Sequence, residues 1–381
     1  MTNSDKSTLK VATIVGTRPE IIRLSSTIKL LDKYLQQIII HTGQNYDYEL
    51  NEIFFRDLGL RKPDYFLGVN TTTLGHVLGE TLIKSEEILR KEKPDTILIL
   101  GDTNSSIAGI IAKRLRIPIF HMEAGNRSFD MNVPEEINRR IIDHIADFNL
   151  VYTEHARRHL ISEGLPHRRI YLTGSPMKEV LTDNMEKIRA SRILKELNLE
   201  KGKYFLVSAH REENVDNPKH LNQILDILNA LAEEYKVPVI VSTHPRTRKR
   251  LEASGKRKMD DRVRFLKPFG FFDYINLQMN AMCTLSDSGT ISEESAMLSF
   301  PAISLRQSME RPEAQDAGTI ILTGFDRDVV LGSIRIVIAE QSKGKYKCIA
   351  EDYTIENTSW RVLKLIQGNT RLSNKWWGIN E

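Results

Sequence analysis

Polar and charged residues gather in this chain just after short apolar runs. Gly16-Thr17-Arg18 follows one run, His41-Thr42-Gly43-Gln44 the next, then Gly101-Asp102 and His121-Met122-Glu123-Ala124-Gly125. In the second half His210-Arg211, His244 and Ser286-Asp287-Ser288-Gly289-Thr290 stand in the same relation. A carboxylate at the end of a buried strand, such as Asp102 or Glu123, is costly unless it is partnered or functional. Glu135-Glu136 follows Pro134 and opens a helix, where acidic residues also complement the helix dipole. Arg18 and Arg311 each precede a Pro-Glu dipeptide. Arginine at a rigid turn suits a diphosphate, because one guanidinium grips two oxygens at once. Ser288-Gly289-Thr290 either caps a helix or offers its first N–H groups to a phosphate. His210 reads equally as a satisfied core histidine or as a substrate contact. Polar and charged groups at so many strand ends are expected to converge on one cleft.

The elements that must position these groups alternate. Strand-like runs fall at Val11–Val15, Ile38–Ile40, Thr96–Leu100, Pro118–Phe120, Leu150–Tyr152 and Ile170–Leu172. Helical patterns lie between them at Pro19–Tyr34, Leu74–Glu92, Ser105–Leu115 and Pro134–Ala146. Short buried strands separated by amphipathic helices imply βαβ units and a parallel sheet. A charged helical connector, Asn184–Glu200, precedes a second series: Tyr204–Ser208, Val239–Ser242, Val263–Leu266, a helix near Phe272–Met279, Thr284–Ser286 and Pro301–Leu305. The expected fold class is α/β, with two Rossmann-like domains facing a cleft. The domains are expected at residues 1–183 and 184–356, with a C-terminal helix of about 357–381 packing back on the first. Folds of this kind bind ligands at strand C-terminal ends.

With 381 residues the chain suits two such domains, and its 54 basic against 50 acidic residues point to neither nucleic acid nor membrane. Two cysteines, Cys283 and Cys348, build no disulfide framework, so a reducing cytoplasm is the expected location. The first ten residues lack the apolar core of a signal peptide, and no apolar run approaches the ~20 residues that span a bilayer. His155 and His159 have the spacing of metal ligands, but no zinc motif surrounds them and no metal is expected. Arg246–Arg250 and Lys256–Lys258 read as solvated faces. Trp376-Trp377 reads as terminal packing. Neither a Gly-x-Gly-x-x-Gly turn nor a Walker A loop is present, which argues against a nicotinamide dehydrogenase or a P-loop kinase.

Taken in order, Gly16-Thr17-Arg18-Pro19-Glu20, Gly101-Asp102-Thr103, His121-Met122-Glu123-Ala124-Gly125, Pro134-Glu135-Glu136, His210-Arg211-Glu212-Glu213-Asn214, Ser286-Asp287-Ser288-Gly289 with Glu293-Glu294, and Glu310-Arg311-Pro312-Glu313 resemble the non-hydrolysing UDP-N-acetylglucosamine 2-epimerase family. The resemblance runs through nearly the whole chain. It implies a GT-B-like pair of domains, usually in a homodimer, a UDP-sugar substrate and no cofactor. The sequence departs from the N-acetylglucosamine branch in three places. The usual Gln-His pair is replaced within His41-Thr42-Gly43-Gln44-Asn45-Tyr46, Arg23 stands for lysine, and Thr290 ends the usual Ser-Gly-Gly. These variants resemble the branch that makes UDP-N-acetyl-L-fucosamine from UDP-2-acetamido-2,6-dideoxy-L-talose for capsule or O-antigen, with a rhamnosamine-type epimerase as sister. They also put in doubt the allosteric substrate site of the N-acetylglucosamine branch.

The family chemistry implies roles for each group. The C2 hydrogen is a very weak acid until the C1–O bond breaks, so UDP leaves and returns through an unsaturated glycal. Arg18, Ser288, Gly289 and the Thr290 N–H then hold the diphosphate, Glu294 the ribose and Tyr274 the uracil. Arg23 is a further substrate-binding candidate. Asp102, Glu123 and Glu135 are the acid/base candidates, and His210 and Arg311 orient sugar or phosphate. Three other readings compete: a GT-B glycosyltransferase, a hydrolysing epimerase and an inactive nucleotide-sugar sensor.

Overall fold

The computed structural model describes residues 8–44, 55–209, 211–243, 247–248, 250, 258–344 and 349–379, without the side chains of Glu212 and Glu213. His210, His244, Cys348 and Asn45–Leu50 therefore lie outside the described residues, as do Arg246, Lys249, Lys256 and Arg257 of the two basic runs. The chain forms two compact units, residues 1–182 with 355–381, and residues 183–354.

The first unit is built on seven strands: β1 (Lys10–Val15), β2 (Gln36–His41), β3 (Tyr65–Phe66), β4 (Thr96–Leu100), β5 (Ile119–Ala124), β6 (Phe148–Val151) and β7 (Ile170–Leu172). They are ordered 3-2-1-4-5-6-7, and every pairing is parallel. The second unit repeats the plan with β8 (Phe205–Ser208), β9 (Val239–Ser242), β10 (Val263–Leu266), β11 (Cys283–Ser286), β12 (Ala302–Ser304) and β13 (Ile321–Leu322), ordered 10-9-8-11-12-13 and again parallel. Continuous apolar strands buried on both faces force this arrangement, because only crossover helices can cover both sides. Ile14, Ile40, Ile97, Ile99 and Ile119 form the centre of one core. Phe205, Val207, Val239, Cys283 and Ile303 form that of the other.

In each sheet the strand order reverses between the first and fourth strands, β1/β4 and β8/β11. Loops leaving two such strands run to opposite faces, so a crevice opens at their C-terminal ends. Gly16 and Gly101 stand at that point in the first unit, and Asp287-Ser288-Gly289 follows β11 in the second.

Several elements differ from the sequence expectation. The connector is broken into helices Met185–Ala190 and Ile193–Glu196. The last helix runs Thr358–Trp376, ending short of the expected range of about 357–381. It packs on the helix Arg18–Tyr34, with Trp360 tilted against Tyr34 at 5.4 Å. Trp377 closes over Arg169 at 3.9 Å and donates to Asp147 at 2.6 Å, so it packs on its own unit while 44% of it stays exposed. Among the described residues no helix is long and apolar enough to cross a membrane.

Candidate functional site

The turn after β1 is shaped by close approach. A Cβ on Gly16 would stand 2.3 Å from Thr42 Oγ1 and 2.8 Å from Gln44 Nε2, so only glycine fits against the turn after β2. Helix Arg18–Tyr34 begins there with Thr17 as N-cap and Pro19 in its first turn. Glu20 reaches back to accept the Gly16 N–H at 3.0 Å and the Thr17 hydroxyl at 2.7 Å, satisfying groups the helix start leaves open. It also accepts from Thr103 at 3.1 Å and from Ser105. Burial pushes the Glu20 carboxyl up from its ordinary range, against these hydrogen bonds. Glu20 thus joins the turn after β1 to the turn after β4. Arg18 is half-buried at the helix start. Arg23, one turn further on, is buried and paired with Glu123.

The candidate carboxylates Asp102 and Glu123 end neighbouring parallel strands, β4 and β5. Glu123 has φ +64 and is the extra residue of a bulge, since Met122 faces Leu150 while Ala124 faces Val151. Left-handed backbone is uncommon for a non-glycine residue, and bulges re-aim side chains. Here the bulge turns Glu123 toward Arg23 and across Gly101, where a Cβ would lie 3.4 Å from Glu123 Oε2. Asp102 pairs with the buried Arg139, and its carbonyl accepts from Asn138 at 3.0 Å. Each carboxylate is therefore paired with a guanidinium, the buried Glu123 with Arg23 and the half-buried Asp102 with Arg139.

Helix Pro134–Ile145 supplies Arg139, and its buried face is mixed, with Ile142 in the core beside polar side chains. Glu136, Arg139 and Asp143 are buried while Ile137 and Ile141 are exposed. Glu135 lies exposed in the first turn. Its neighbour Glu136 is the buried one, accepting from the Ser128 N–H at 3.1 Å and from Arg140 at 3.0 Å. Arg139 was not singled out from the sequence. The signal was available: polar residues at 136, 139 and 143 occupy the stripe that an ordinary amphipathic helix fills with apolar side chains.

In the second unit the loop after β11 leads into helix Ile291–Leu298. Ser286 Oγ accepts the Ser288 N–H at 3.0 Å, and Ser288 Oγ accepts the Thr290 N–H at 3.3 Å. Arg311 is 3% exposed, donates to the Gly289 carbonyl at 2.5 Å and lies 3.3 Å from Glu293. Arg311 thus braces the loop from below. Glu294 is buried and accepts from Gln278 at 2.7 Å. The Tyr274 ring is half-buried against the Tyr204–Leu277 cluster. Its hydroxyl is pushed up by burial and by Glu294, against hydrogen bonds with Ser208 and Ser286. Asp287 accepts the Arg211 N–H at 3.0 Å and Asn214 at 2.9 Å, which ties the segment after β8 to this loop. Glu310 pairs with Arg306 at 2.8 Å. His210 is outside the described residues, so no geometry is given for it. His159 Nδ1 donates to the Gly125 carbonyl, 2.9 Å away, and among the described residues no metal-binding cluster of His, Cys, Asp and Glu occurs.

Two doubly wound parallel domains, with paired carboxylates in one and a glycine-containing loop before a helix in the other, define a GT-B-like fold of nucleotide-sugar chemistry. A glycosyltransferase from Rickettsia africae shares the fold at 11% identity, covering 97% of this chain and 98% of its own, with a TM-score of 0.56. The family model described as UDP-N-acetylglucosamine 2-epimerase matches residues 29–367, and the chain belongs to that family. It is similar to the solved structure of UDP-N-acetylglucosamine 2-epimerase from Rickettsia bellii, at 48% identity and TM-score 0.91, covering 97% of this chain and 100% of that one. The Methanocaldococcus jannaschii UDP-GlcNAc 2-epimerase, solved in complex with UDP-GlcNAc and UDP, is 35% identical with TM-score 0.87, covering 94% and 99%. A Pseudomonas aeruginosa UDP-2,3-diacetamido-2,3-dideoxy-D-glucuronate 2-epimerase is 35% identical over 86% of this chain and 92% of its own length. The chain is accordingly a non-hydrolysing epimerase, an isomerase.

Proposed function

We propose that this chain interconverts the C2 epimers of a UDP-N-acetylamino sugar by eliminating UDP across C1 and C2 and adding it back. The observation that carries this reading is the pair of carboxylates, Asp102 and Glu123, on neighbouring strand ends, each held by its own guanidinium. The reaction needs groups able to take and return a proton at C2 on either face, and cationic and N–H donors for the departing diphosphate. Asp102, Glu123 and Glu135 are the proposed acid/base set, with His210 orienting sugar or phosphate. Arg18, Arg23, Ser288, Gly289, Thr290 and Arg311 are proposed to hold sugar and diphosphate, Glu294 the ribose and Tyr274 the uracil. The bond changes balance without a redox partner: C1–O and C2–H break, then re-form. UDP binding by the Methanocaldococcus relative supports the nucleotide assignment.

For the sugar, we infer the pair UDP-2-acetamido-2,6-dideoxy-L-talose and UDP-N-acetyl-L-fucosamine. The support is local: Arg23 in place of lysine, Thr290 after Ser288-Gly289, and Thr42-Gly43-Gln44-Asn45 in place of the Gln-His pair. A second reading, UDP-N-acetylglucosamine 2-epimerase, is favoured by the name of the 48%-identical Rickettsia bellii relative. Incubation in deuterated water with each nucleotide sugar, followed at C2 by proton NMR, separates them. Deuterium at C2 and a second nucleotide sugar from the L-talo substrate alone supports the first. Exchange from UDP-N-acetylglucosamine alone overturns it in favour of the second.

A further inference from the structure

Arg306 follows β12 by two residues and is 4% exposed. β12 pairs with β11, Ser304 facing Ser286, so Arg306 leaves the sheet at the same C-terminal edge as Asp287-Ser288-Gly289. Its Nη2 donates to Glu310 Oε1 at 2.8 Å. Among the described residues its Nη1 and Nε meet no acceptor. A guanidinium has five N–H donors, and burying it with donors unmet is costly. Nη1 lies toward Gly289: a Cβ on that glycine would stand 3.7 Å from it. The same point is 3.8 Å from Arg211 Nη2 and 3.3 Å from Glu310 Oε2.

Glu310 bridges the two arginines. Its Oε1 faces Arg306 at 2.8 Å and Arg211 at 3.4 Å, so these three groups together carry one positive charge beside Gly289. Glu310 Oε2 repels an anion from its own side and turns it toward the guanidinium groups. Arg311 faces elsewhere, donating to the Gly289 carbonyl and lying 3.3 Å from Glu293. Gly289 stands two residues before helix Ile291–Leu298, and a helix N-terminus favours an anion. The missing side chain leaves open the space between that helix start and Arg306 Nη1. A phosphate suits this space, because its oxygens accept from a guanidinium and from helix N–H groups together.

We propose that Arg306, held in place by Glu310, binds the diphosphate of the UDP group beside Gly289. The inference deepens the assignment of the diphosphate to Ser288, Gly289 and Thr290 and rests on it. As the C1–O bond breaks, the departing diphosphate gains negative charge, which a guanidinium at this point stabilises. The test compares UDP, titrated by calorimetry, with uridine, titrated by ligand-observed NMR, on the full chain. Arg306→Met is expected to weaken UDP binding about 10–100-fold and to leave uridine binding within about twofold, because uridine carries no phosphate. Arg306→Lys keeps a cation opposite Glu310 and loses the planar fork, so it is expected to weaken UDP binding about 3–10-fold, again with uridine unchanged. If Arg306→Met does not fold, Arg306→Lys decides. Equal losses for UDP and uridine in Arg306→Lys assign a structural role and overturn the proposal, as does wild-type affinity for both. A wild-type chain that binds UDP no more tightly than uridine also overturns it. C2 exchange by the wild-type chain is followed in parallel: its absence sinks the epimerase reading, and the ratio of UDP to uridine affinity still decides the role of Arg306.

Discussion

Arg23 and Glu123, one hundred residues apart in sequence, form a buried ion pair between the first helix and the bulge of β5. Removing one partner of such a pair leaves an uncompensated buried charge, which costs about 3–5 kcal/mol. Arg23→Ala is expected to lower unfolding stability by roughly 3 kcal/mol, and Arg23→Lys by clearly less, because lysine keeps the charge and loses only the planar fork. Urea unfolding of both variants checks this. Equal losses would mean that the pair acts through the shape of arginine and not its charge.

Asp102→Asn keeps the shape of the side chain and removes its charge opposite Arg139. C2 exchange is expected to be abolished while UDP binding, read by calorimetry, survives. Near-wild-type exchange would refute the acid/base role of Asp102.

Backbone at Gly125 is closed to any side chain. Its φ is +80, and a Cβ would stand 2.4 Å from the Ala156 carbonyl oxygen. Gly164 has φ +87 but open space around it. Gly164→Ala is therefore expected to cost about 1–2 kcal/mol from backbone strain alone, and Gly125→Ala considerably more or to fail to fold. Thermal melts of the two alanine variants separate strain from clash.

His41 is stacked on Phe66 at 5.1 Å, and burial holds its imidazole down at about 4 from an ordinary 6.5. Its folded-state affinity for a proton is lower than its unfolded one, so the unfolded chain takes up the extra proton. Stability is expected to be full above about pH 6.5 and to fall as pH drops toward about 4, by up to about 3 kcal/mol, then to level off. Glu163 also loses its contribution on acidification, but in a lower window. Arg127 holds its carboxyl down at about 2, so its contribution is present above about pH 4.5 and is lost only as pH falls through 2. Denaturation of His41→Gln against pH should flatten the first window and leave the second. An unchanged slope between pH 4 and 6.5 would remove His41 as its source.

The repeating fold was legible because parallel strands buried on both faces must be continuously apolar, as Val11–Val15 and Thr96–Leu100 are. The placement of Asp102 and Glu123 at neighbouring strand ends was legible from the apolar runs that precede them. Three things were not. Strand pairs as short as Tyr65–Phe66 and Ile321–Leu322 leave no periodicity to read. The bulge at Glu123 arises from register against β6, a tertiary property with no local signature. Glu135 and Glu136 are chemically identical neighbours, and only the helix's rotation against the sheet decides that Glu136 is buried and Glu135 exposed. Arg139 was missed for a different reason. Its helix buries polar side chains beside Ile142 and exposes Ile137 and Ile141, which the usual inference from amphipathicity does not anticipate.

If UDP leaves C1 and returns, the oxygen bridging C1 to phosphorus records it. UDP-2-acetamido-2,6-dideoxy-L-talose labelled with 18O at that bridge is incubated with the enzyme and examined by phosphorus NMR. Elimination frees the diphosphate, so its β-phosphate oxygens become equivalent by rotation. The label is expected to scramble into non-bridging positions while C2 exchanges its hydrogen with solvent. Exchange at C2 with the label still wholly in the bridge would contradict the account, because the proton would then move without the C1–O bond ever breaking.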